Sequence, residues 1–393
     1  MKQRSFLINC IKLSPIFLLI LAGFFNFISK TASNYLSIFA FIGCTIFAIL
    51  NFKSIPIYLK VSFALTVCYL GLISINTYSI VASISDGLRY ILPFVVLSYG
   101  FTFKNSVLFL IKSLLVIILI NNFYQCFTYL IYFLDINLYY DLGNSTNTVK
   151  GLLRAGGITH SFDFFGFLNL MGFYLCYQFY NKKYAYLFVL FLVLSLSFKY
   201  IILFGVLLIY LKQFRGILVI VLMSLVIVIC SPTVKTKIQN GVSEKYNRFL
   251  VDYNSPRPES YRVLKEHLQS KSVFFAEGAG VFGGPASTTY GSPYYEKTSF
   301  DWHGREFATT DTFYPHLFIE LGVIQGFIYL IFVFLPFILE WKFLKKIAFV
   351  ALSFLFSSIF SFSLNSFIFI IFSFILIYPL IHFEKQNLDV VVN

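Results

Sequence analysis

Charged side chains are scarce in this chain. Of its 393 residues, Asp, Glu, Lys and Arg together make up only 12%, whereas an ordinary soluble domain carries about 25%. A water-exposed surface of this size cannot be covered with so little charge. Hydrophobic residues account for 58% of the chain, and the mean hydropathy is +0.80. The composition therefore excludes a soluble enzyme and indicates a protein embedded in lipid.

Acidic residues are scarcer than basic ones, with 17 Asp and Glu against 30 Lys and Arg and a net charge of +13. In a soluble protein this excess would suggest nucleic-acid binding. In a membrane protein, Lys and Arg collect in the cytoplasmic loops instead. We therefore expect the lipid bilayer as a partner and no nucleic acid.

Several motifs of soluble catalysts are absent. The six cysteines form no C-x-x-C pair, so we expect neither a disulfide framework nor a zinc site. No H-E-x-x-H and no G-x-S-x-G occurs, which leaves zinc catalysis and covalent acyl transfer without support. Gly278, Gly280 and Gly283 fit the dinucleotide spacing G-x-G-x-x-G, but an outer loop lacks the strand that this motif requires, so a tight turn is expected. We expect no metal and no cofactor.

Long apolar runs fill most of the chain. A spanning helix needs about 20 mostly apolar residues, and twelve runs are candidates: 13–28, 35–52, 57–75, 88–103, 107–134, 162–180, 184–197, 200–211, 217–230, 313–335, 347–362 and 366–381. The first follows a basic N-terminus, as in a signal peptide, but no clear cleavage site follows it. The pattern predicts an all-α polytopic integral membrane protein with about twelve transmembrane helices, of which the seventh and eighth form a short hairpin.

The distribution of Lys and Arg predicts the orientation. With a cytoplasmic N-terminus, the inner side holds fifteen of these residues and the short outer loops hold five, while ten lie in a loop that is too long to count. Both termini are therefore predicted to be cytoplasmic. The chain then divides into nine helices over residues 1–230, with a short outer segment at 135–158, a large outer loop at 231–312, and three helices with a cytoplasmic tail at 313–393.

The large loop has the composition of a folded cap. It combines prolines and a glycine cluster with many aromatic residues that could pack together. Its stretch 258–268 predicts a helix, because Pro258 stands in the first turn and acidic residues come early. We expect the polar chemistry of the protein on this outer side.

Basic residues at the outer ends of helices form the first candidate site. Arg154 precedes the sixth span, Lys199 lies at the tip of the short hairpin, and Arg262 lies on the loop helix. Together they could surround an anionic group, because Arg forms paired charge-assisted bonds to phosphate. The alternative is that each residue anchors its own helix at the lipid interface by snorkelling.

Acidic residues mark the start of the tenth span. Asp311 precedes it, and Glu320 lies within its apolar sequence, where an acid is costly and functional by default. Asp311 could instead only cap the helix.

The order of these features resembles the superfamily of O-antigen polymerases and O-antigen ligases, the Wzy-type polymerases in particular. The matching pieces are the segment from Arg154 that opens a mid-chain span, the basic tip at Lys199, the loop from Arg262 to the glycine cluster, and Asp311 eleven residues before Gly322. These pieces cover about a fifth of the chain.

The resemblance implies a fold like that of the GT-C glycosyltransferases and an inverting glycosyl transfer at the periplasmic face of the bacterial inner membrane. The donor would be an undecaprenyl-pyrophosphate-linked oligosaccharide, and neither a nucleotide sugar nor a metal would be required. A chain-length regulator and a flippase would be partner proteins.

The resemblance also implies roles for individual residues. A base would assist the acceptor hydroxyl, and cations would stabilise the departing pyrophosphate. The candidate catalytic residues are Asp311, His316 and His303. The candidate substrate-binding residues are Arg154, Lys199, Arg262, His160 and Arg89. Ligases of the superfamily commonly carry His-Asn where this chain has Asp311-Thr312, and this difference favours a polymerase.

Three alternatives stay open. The chain could be an O-antigen ligase that transfers finished polysaccharide to lipid A core, a flippase or other transporter that makes no bond, or another lipid-phosphosugar transferase. Transporters usually carry polar residues near the midplane of their spans, whereas the polar residues here cluster outside. The other transferases often bear paired acids in an early outer loop, where this chain has only Asp86 beside Arg89.

Overall fold

The computed structural model describes residues 2–75, 77–141, 148–149, 152–213, 255–304, 309–310 and 312–392. Over these residues the chain is helical apart from its connections and one small antiparallel hairpin, in which β1 (Thr148–Val149) pairs with β2 (Leu152–Leu153). Apart from this hairpin, the prediction of an all-α chain is confirmed for the described part of the molecule.

The helices before residue 214 are α1 (Lys2–Lys12), α2 (Ser14–Ile28), α3 (Lys30–Leu50), α4 (Ile57–Ile73), α5 (Ile80–Gly100), α6 (Val107–Leu134), α7 (Ile136–Asp141), α8 (Phe162–Phe179), α9 (Lys182–Leu194) and α10 (Phe198–Tyr210). After residue 254 come α11 (Pro256–Ser270), α12 (Pro285–Thr289), α13 (Tyr294–Lys297), α14 (Phe313–Leu321), α15 (Val323–Leu339), α16 (Trp341–Leu344), α17 (Ala348–Ser357), α18 (Phe367–Phe374) and α19 (Ile377–Val392).

Helix length decides which predicted spans could cross a bilayer. Among the described residues four helices are long and apolar enough, or up to six if two bent pairs each count as one span. Helices occupy the predicted runs except 217–230, which lies outside the described residues. Several are short: α9 has 13 residues, or about 20 Å, against a hydrocarbon core of about 30 Å. The structure thus supports a helical membrane protein, and the count of twelve spans stays a prediction.

The prediction of one continuous helix over 313–335 is wrong. The chain breaks at Gly322, where α14 and α15 meet at an angle of 118°. Gly322 has a φ of +81°, which L side chains rarely adopt, and a Cβ there would lie only 3.1 Å from the carbonyl oxygen of Phe275. The apolar run continues across the bend because both helices bury apolar faces. Hydrophobicity alone therefore could not reveal the break.

The two ends of α5 lie in different chemical surroundings. Just beyond its C-terminal end, Thr102 accepts hydrogen bonds from Lys12 at 3.2 Å and from Asn51 at 3.1 Å. At its N-terminal end, the backbone of Ala82 touches the glycine cluster of the large loop at Gly280. The loop therefore lies at the opposite end of α5 from Lys12, as the predicted orientation requires, although the membrane side of each end stays a prediction.

The described part of the large loop folds against the helix bundle. α11 confirms the helix predicted at 258–268. Val263 of α11, Phe282 and Phe300 share one apolar core with Ile319 of α14. Because cap and bundle share this core, the glycine cluster is held over the ends of α5 and α14.

Candidate functional site: two polar clusters at one end of the bundle

The first three turns of α5 carry two polar side chains into the bundle and one arginine at its surface. Ser79 caps the helix by accepting a hydrogen bond from the Ala82 N–H. Asp86 and Tyr90 are four residues apart, so they share one helix face, and both are fully buried. Arg89 places Nε 3.2 Å from Oδ1 of Asp86 while 36% of its side chain stays exposed. The arginine therefore reaches a buried carboxylate from the surface.

His316 and Glu320 of α14 meet this face of α5, and both are fully buried. The His316 ring stacks on Tyr90, with centroids 5.3 Å apart and planes 5° apart. The Tyr90 hydroxyl donates to Oε2 of Glu320 at 3.0 Å. Nε2 of His316 lies 3.1 Å from the side-chain nitrogen of Asn365. We call Asp86, Tyr90, His316, Glu320 and Asn365 the acid–histidine cluster.

The glycine cluster closes over these side chains through its backbone. The Phe282 N–H donates to Oε1 of Glu320 at 3.0 Å, and the Phe282 carbonyl oxygen lies 2.5 Å from Nδ1 of His316. Gly280 has a φ of +79°, and a Cβ there would lie 2.5 Å from the carbonyl oxygen of Ala82. The tight turn predicted here, in which backbone approaches backbone, is confirmed.

The acid–histidine cluster includes a group of potential metal ligands. One ligand atom from each of Asp86, His316 and Glu320 lies within 4.8 Å of the other two. The sequence alone predicted no metal here, because the three residues come from distant parts of the chain and show no ligand spacing.

A second cluster forms where the N-terminus of α8 meets the turn between α9 and α10. Nζ of Lys199 lies 2.7 Å from Oδ2 of Asp163, and the Ser197 hydroxyl donates to Oδ1 of the same carboxylate at 2.7 Å. Arg154 donates from Nε to the Ser195 carbonyl oxygen at 3.3 Å. The structure therefore brings Arg154 and Lys199 to the same turn.

Arg257, in the first turn of α11, adds a third cation. Burial lowers the pKa of Arg154, the charge of Asp163 opposes that shift, and the charge of Arg257 adds to it. Arg257 also acts on Asp163, so it lies near both residues. We call Arg154, Lys199, Arg257 and Asp163 the cationic cluster.

Arg262 makes different contacts from the other predicted cations. Its Nε lies 2.9 Å from Oε1 of Glu259, and its Nη1 lies 2.5 Å from Oε1 of Glu266. These bonds to carboxylates raise its pKa, against a smaller opposing effect of burial. Its positive charge is matched by acids on its own helix, whereas Arg257 occupies the position near Arg154.

Buried amides of α6 hold the segment that carries Arg154. Oε1 of Gln125 accepts the N–H groups of Gly156 and Gly157 at 2.9 and 2.8 Å. Oδ1 of Asn121 accepts the next amide, that of Ile158, at 2.8 Å. Three consecutive backbone donors are thus satisfied inside the bundle, where an unpaired one would be costly.

Thr312 connects the two clusters. Its hydroxyl lies 2.6 Å from that of Ser260, which in turn donates to the Arg257 carbonyl oxygen at 2.6 Å. His316 follows Thr312 by about one helical turn. Asp311 lies outside the described residues, but its two neighbours, Thr310 and Thr312, are buried between the clusters.

The other predicted histidine candidates occupy separate positions. His303 donates its backbone N–H to Asp301 at 2.6 Å, and its Nδ1 lies 3.3 Å from the same carboxylate. His160 ends the turn at Gly157–Thr159 with its ring edge-on to Tyr124, and burial lowers its pKa. His303 therefore lies beside Asp301 on the cap, whereas His160 belongs to the segment that begins at Arg154.

Sequence reasoning marked Glu320 as a costly acid within an apolar run but gave it no role, and it did not select Asp86, Asp163 and Arg257 as site residues. The same rule, that a buried intramembrane acid is functional, could have selected Asp86. Nothing in the sequence shows that Arg257, one residue before the predicted helix, lies near Arg154 while Arg262 on that helix does not, because only packing decides which one faces Arg154.

Comparisons with family models, with curated proteins and with solved structures found no match to this chain.

Proposed function

We propose that this chain is a membrane glycosyltransferase that joins undecaprenyl-pyrophosphate-linked repeat units into a surface polysaccharide at the periplasmic face of the bacterial inner membrane. The cationic cluster is the observation that carries the proposal. Its three cations come from segments far apart in the chain and meet at one end of the bundle. Snorkelling of single residues would not require them to converge.

The charge of the cationic cluster suits a pyrophosphate. Three cations and one carboxylate leave two net positive charges, and a pyrophosphate diester is a dianion. Attack of an acceptor hydroxyl on the anomeric carbon transfers negative charge to this leaving group. Preorganised cations therefore stabilise the transition state more than the ground state. Arg154 and Arg257 supply planar forks for paired bonds, and Lys199 supplies a point charge.

Activation of the acceptor hydroxyl is proposed for Asp311, whose chain neighbours lie between the two clusters. His316 is a weaker candidate, because it is fully buried and both ring nitrogens have partners in Phe282 and Asn365. Its contacts suit a positioning role under the glycine cluster. His303 stays a candidate on the cap surface, next to Asp301.

An apolar crevice between α2, α6 and α8 suits a lipid tail. It has a volume of about 210 Å³, and its lining is apolar except for Asn121 and Thr159. Thr159 belongs to the segment that begins at Arg154. A prenyl chain lying here would bring its pyrophosphate toward the cations.

A transporter is the second candidate, because α14 and α15 meet at a sharp bend and buried ionisable residues lie beside it. Broken helices and intramembrane charges mark substrate sites in transporters, but those sites lie near the midplane. Asp86 is the seventh residue of α5, about 9 Å from the start of the helix. A position so close to the helix end favours a reaction at the membrane surface.

Deletion of the gene tests the proposal through its product. A polymerase predicts single repeat units on the lipid A core in place of a long ladder, seen by gel analysis of the surface polysaccharide. Bare core with long polymer retained on the carrier lipid would instead identify a ligase. Bare core with single lipid-linked units trapped at the cytoplasmic face would identify a flippase. An unchanged ladder would remove the chain from the pathway.

A further inference from the structure

Asp86 has an unsatisfied carboxylate in the interior of the bundle. It is fully buried, and its Oδ2 has no hydrogen-bond partner among the described residues. Arg89 approaches the other oxygen, at 3.2 Å. The Ala286 amide lies near the carboxylate but outside hydrogen-bond geometry. If Asp86 is ionised, Oδ2 has no hydrogen-bond donor, and if Oδ2 is protonated, its O–H has no acceptor. A buried polar atom of this kind indicates a missing water or ion.

The surroundings of Oδ2 are rich in metal-ligand atoms. Glu320 offers a second carboxylate and His316 an imidazole, each with a ligand atom within 4.8 Å of the others. The Phe282 carbonyl oxygen is a further potential metal ligand, 2.5 Å from Nδ1 of His316. Oxygen and imidazole donors together suit a divalent cation such as Mn²⁺ or Zn²⁺.

Gly284 lets the cap approach Asp86 and His316 closely. A Cβ at this position would lie 2.1 Å from Oδ2 of Asp86 and 3.0 Å from Cε1 of His316. The backbone of the glycine cluster therefore packs directly against two of the three potential ligands, which only glycine allows at this position.

We propose that Asp86, His316 and Glu320 bind one divalent cation, which ties the glycine cluster of the cap to α5 and α14. In the ion-free state the Nδ1–H of His316 donates to the Phe282 carbonyl. When Nδ1 binds the ion, the neutral ring carries its proton on Nε2, which donates to the side-chain oxygen of Asn365 after that amide turns over. The site stabilises the contact between cap and bundle, whether or not the chain is a glycosyltransferase.

A divalent cation also suits the charges. Two fully buried carboxylates face one partly exposed arginine, and a buried charge without a partner is expensive, so the second carboxylate holds a proton in the ion-free site. A bound divalent cation takes the place of that proton, whereas a water would satisfy Oδ2 and leave the second carboxylate protonated.

The test uses the full chain purified in detergent, stripped with EDTA and dialysed against Mn²⁺. Elemental analysis should find about one ion per chain, and pulsed electron paramagnetic resonance of bound Mn²⁺ should detect a single directly bonded imidazole nitrogen. Absence of bound Mn²⁺, with Zn²⁺ also not retained, overturns the proposal and leaves a water as the occupant. Mn²⁺ bound without nitrogen coupling also overturns it. Neither readout needs a variant.

Variants locate the site. Asp86→Asn and Glu320→Gln should each weaken Mn²⁺ binding by at least about tenfold. Glu340→Gln is the matched control, because Glu340 pairs with Lys385 away from the cluster, at 3.0 Å, and it should bind Mn²⁺ as the unchanged chain does. Equal binding by all three variants would contradict the assignment. Since none of these measurements uses polysaccharide, failure here leaves the proposed transferase untouched.

Discussion

Two arginines on one helix have different partners because they lie on different helix faces. Arg257 and Arg262 are five residues apart on α11, so they point about 140° away from each other. Arg262 is held by Glu259 and Glu266, whereas Arg257 acts on Arg154 and Asp163. Arg262, which the sequence suggested as a substrate ligand, therefore lies on the face of the helix that pairs with acids.

Lysine substitutions distinguish these arginines. Arg154→Lys and Arg257→Lys should each slow polymerisation by about 10–150-fold, because Lys cannot form the paired fork and a lost charge-assisted bond costs about 1.5–3 kcal/mol. The measurement is the rate of chain extension from lipid-linked repeat units by chain purified in detergent. Arg262→Lys is the matched control and should retain most activity. Full activity in both cluster variants would support snorkelling instead.

Helix α6 holds the segment that presents Arg154 in place. Its buried residues Asn121 and Gln125 accept three consecutive backbone amides of the segment that presents Arg154. Asn122 pairs with Asn169 of α8 through two amide hydrogen bonds, of 2.7 and 3.0 Å. Polar residues of one helix thus fix a non-helical segment where water is scarce.

Gln125→Leu removes one acceptor from two buried amides. We expect a loss of about 1–3 kcal/mol of unfolding free energy for each amide left unpaired, measured by denaturant unfolding of the detergent-solubilised chain. Phe123→Leu is the control on the same helix, since Phe123 is 72% exposed, and a change within about 0.5 kcal/mol is expected. Equal stability of both variants would show that these two hydrogen bonds contribute nothing.

α11 carries a pH-sensitive contact of the cap. Burial lowers the pKa of His267 from 6.5, against a smaller opposing effect of Glu277, and Nδ1 lies 3.1 Å from the Tyr294 hydroxyl. The unfolded chain therefore binds the proton more readily than the folded one. The stability from this group is present above pH 6.5 and is lost as the pH falls below that value.

His267→Gln should reduce the loss of thermal stability on acidification. Glutamine can still bond to Tyr294 but does not titrate, so its unfolding temperature should fall less between about pH 7.5 and pH 5 than that of the unchanged chain. His382→Gln, on the tail helix α19, serves as the control and should follow the unchanged chain. A parallel fall in all three proteins would contradict the role assigned to His267.

The whole molecule has a polar, loop-covered end and a lysine-bearing end. Both clusters and the cap lie at the first, while Lys12 and Lys104 contact residues near the other end of α5, at Thr102 and Ser54. The charge count predicts that the lysine-bearing end is cytoplasmic. The proposed chemistry requires the cap to face the opposite side, where lipid-linked repeat units are joined.

A reporter fusion tests this orientation. An alkaline phosphatase fused after Tyr290, which is 45% exposed on the cap, should be active, because that enzyme needs export. The same reporter at the C-terminus should be inactive. Phosphatase activity at the C-terminus with none at Tyr290 would invert the topology and overturn the proposed function together with it.

The sequence by itself determined the surroundings and the local elements of this protein. Scarcity of charge requires a lipid environment, because nothing else can cover so much apolar surface. Apolar runs placed α6 and α8 to within one residue, although α5 begins eight residues before its predicted run, and Pro258 with its early acids located α11. These features depend on composition and on contacts near in sequence, so the chain reveals them directly.

Only the tertiary structure decided the bend and the composition of the clusters. Gly322 bends the chain because the carbonyl groups of the cap pack against it. Asp86 meets Glu320, and Arg257 meets Arg154, through contacts between segments that no spacing rule relates. Such contacts depend on which faces of separate helices are buried together, and that is a property of the packed molecule and not of any stretch of its sequence.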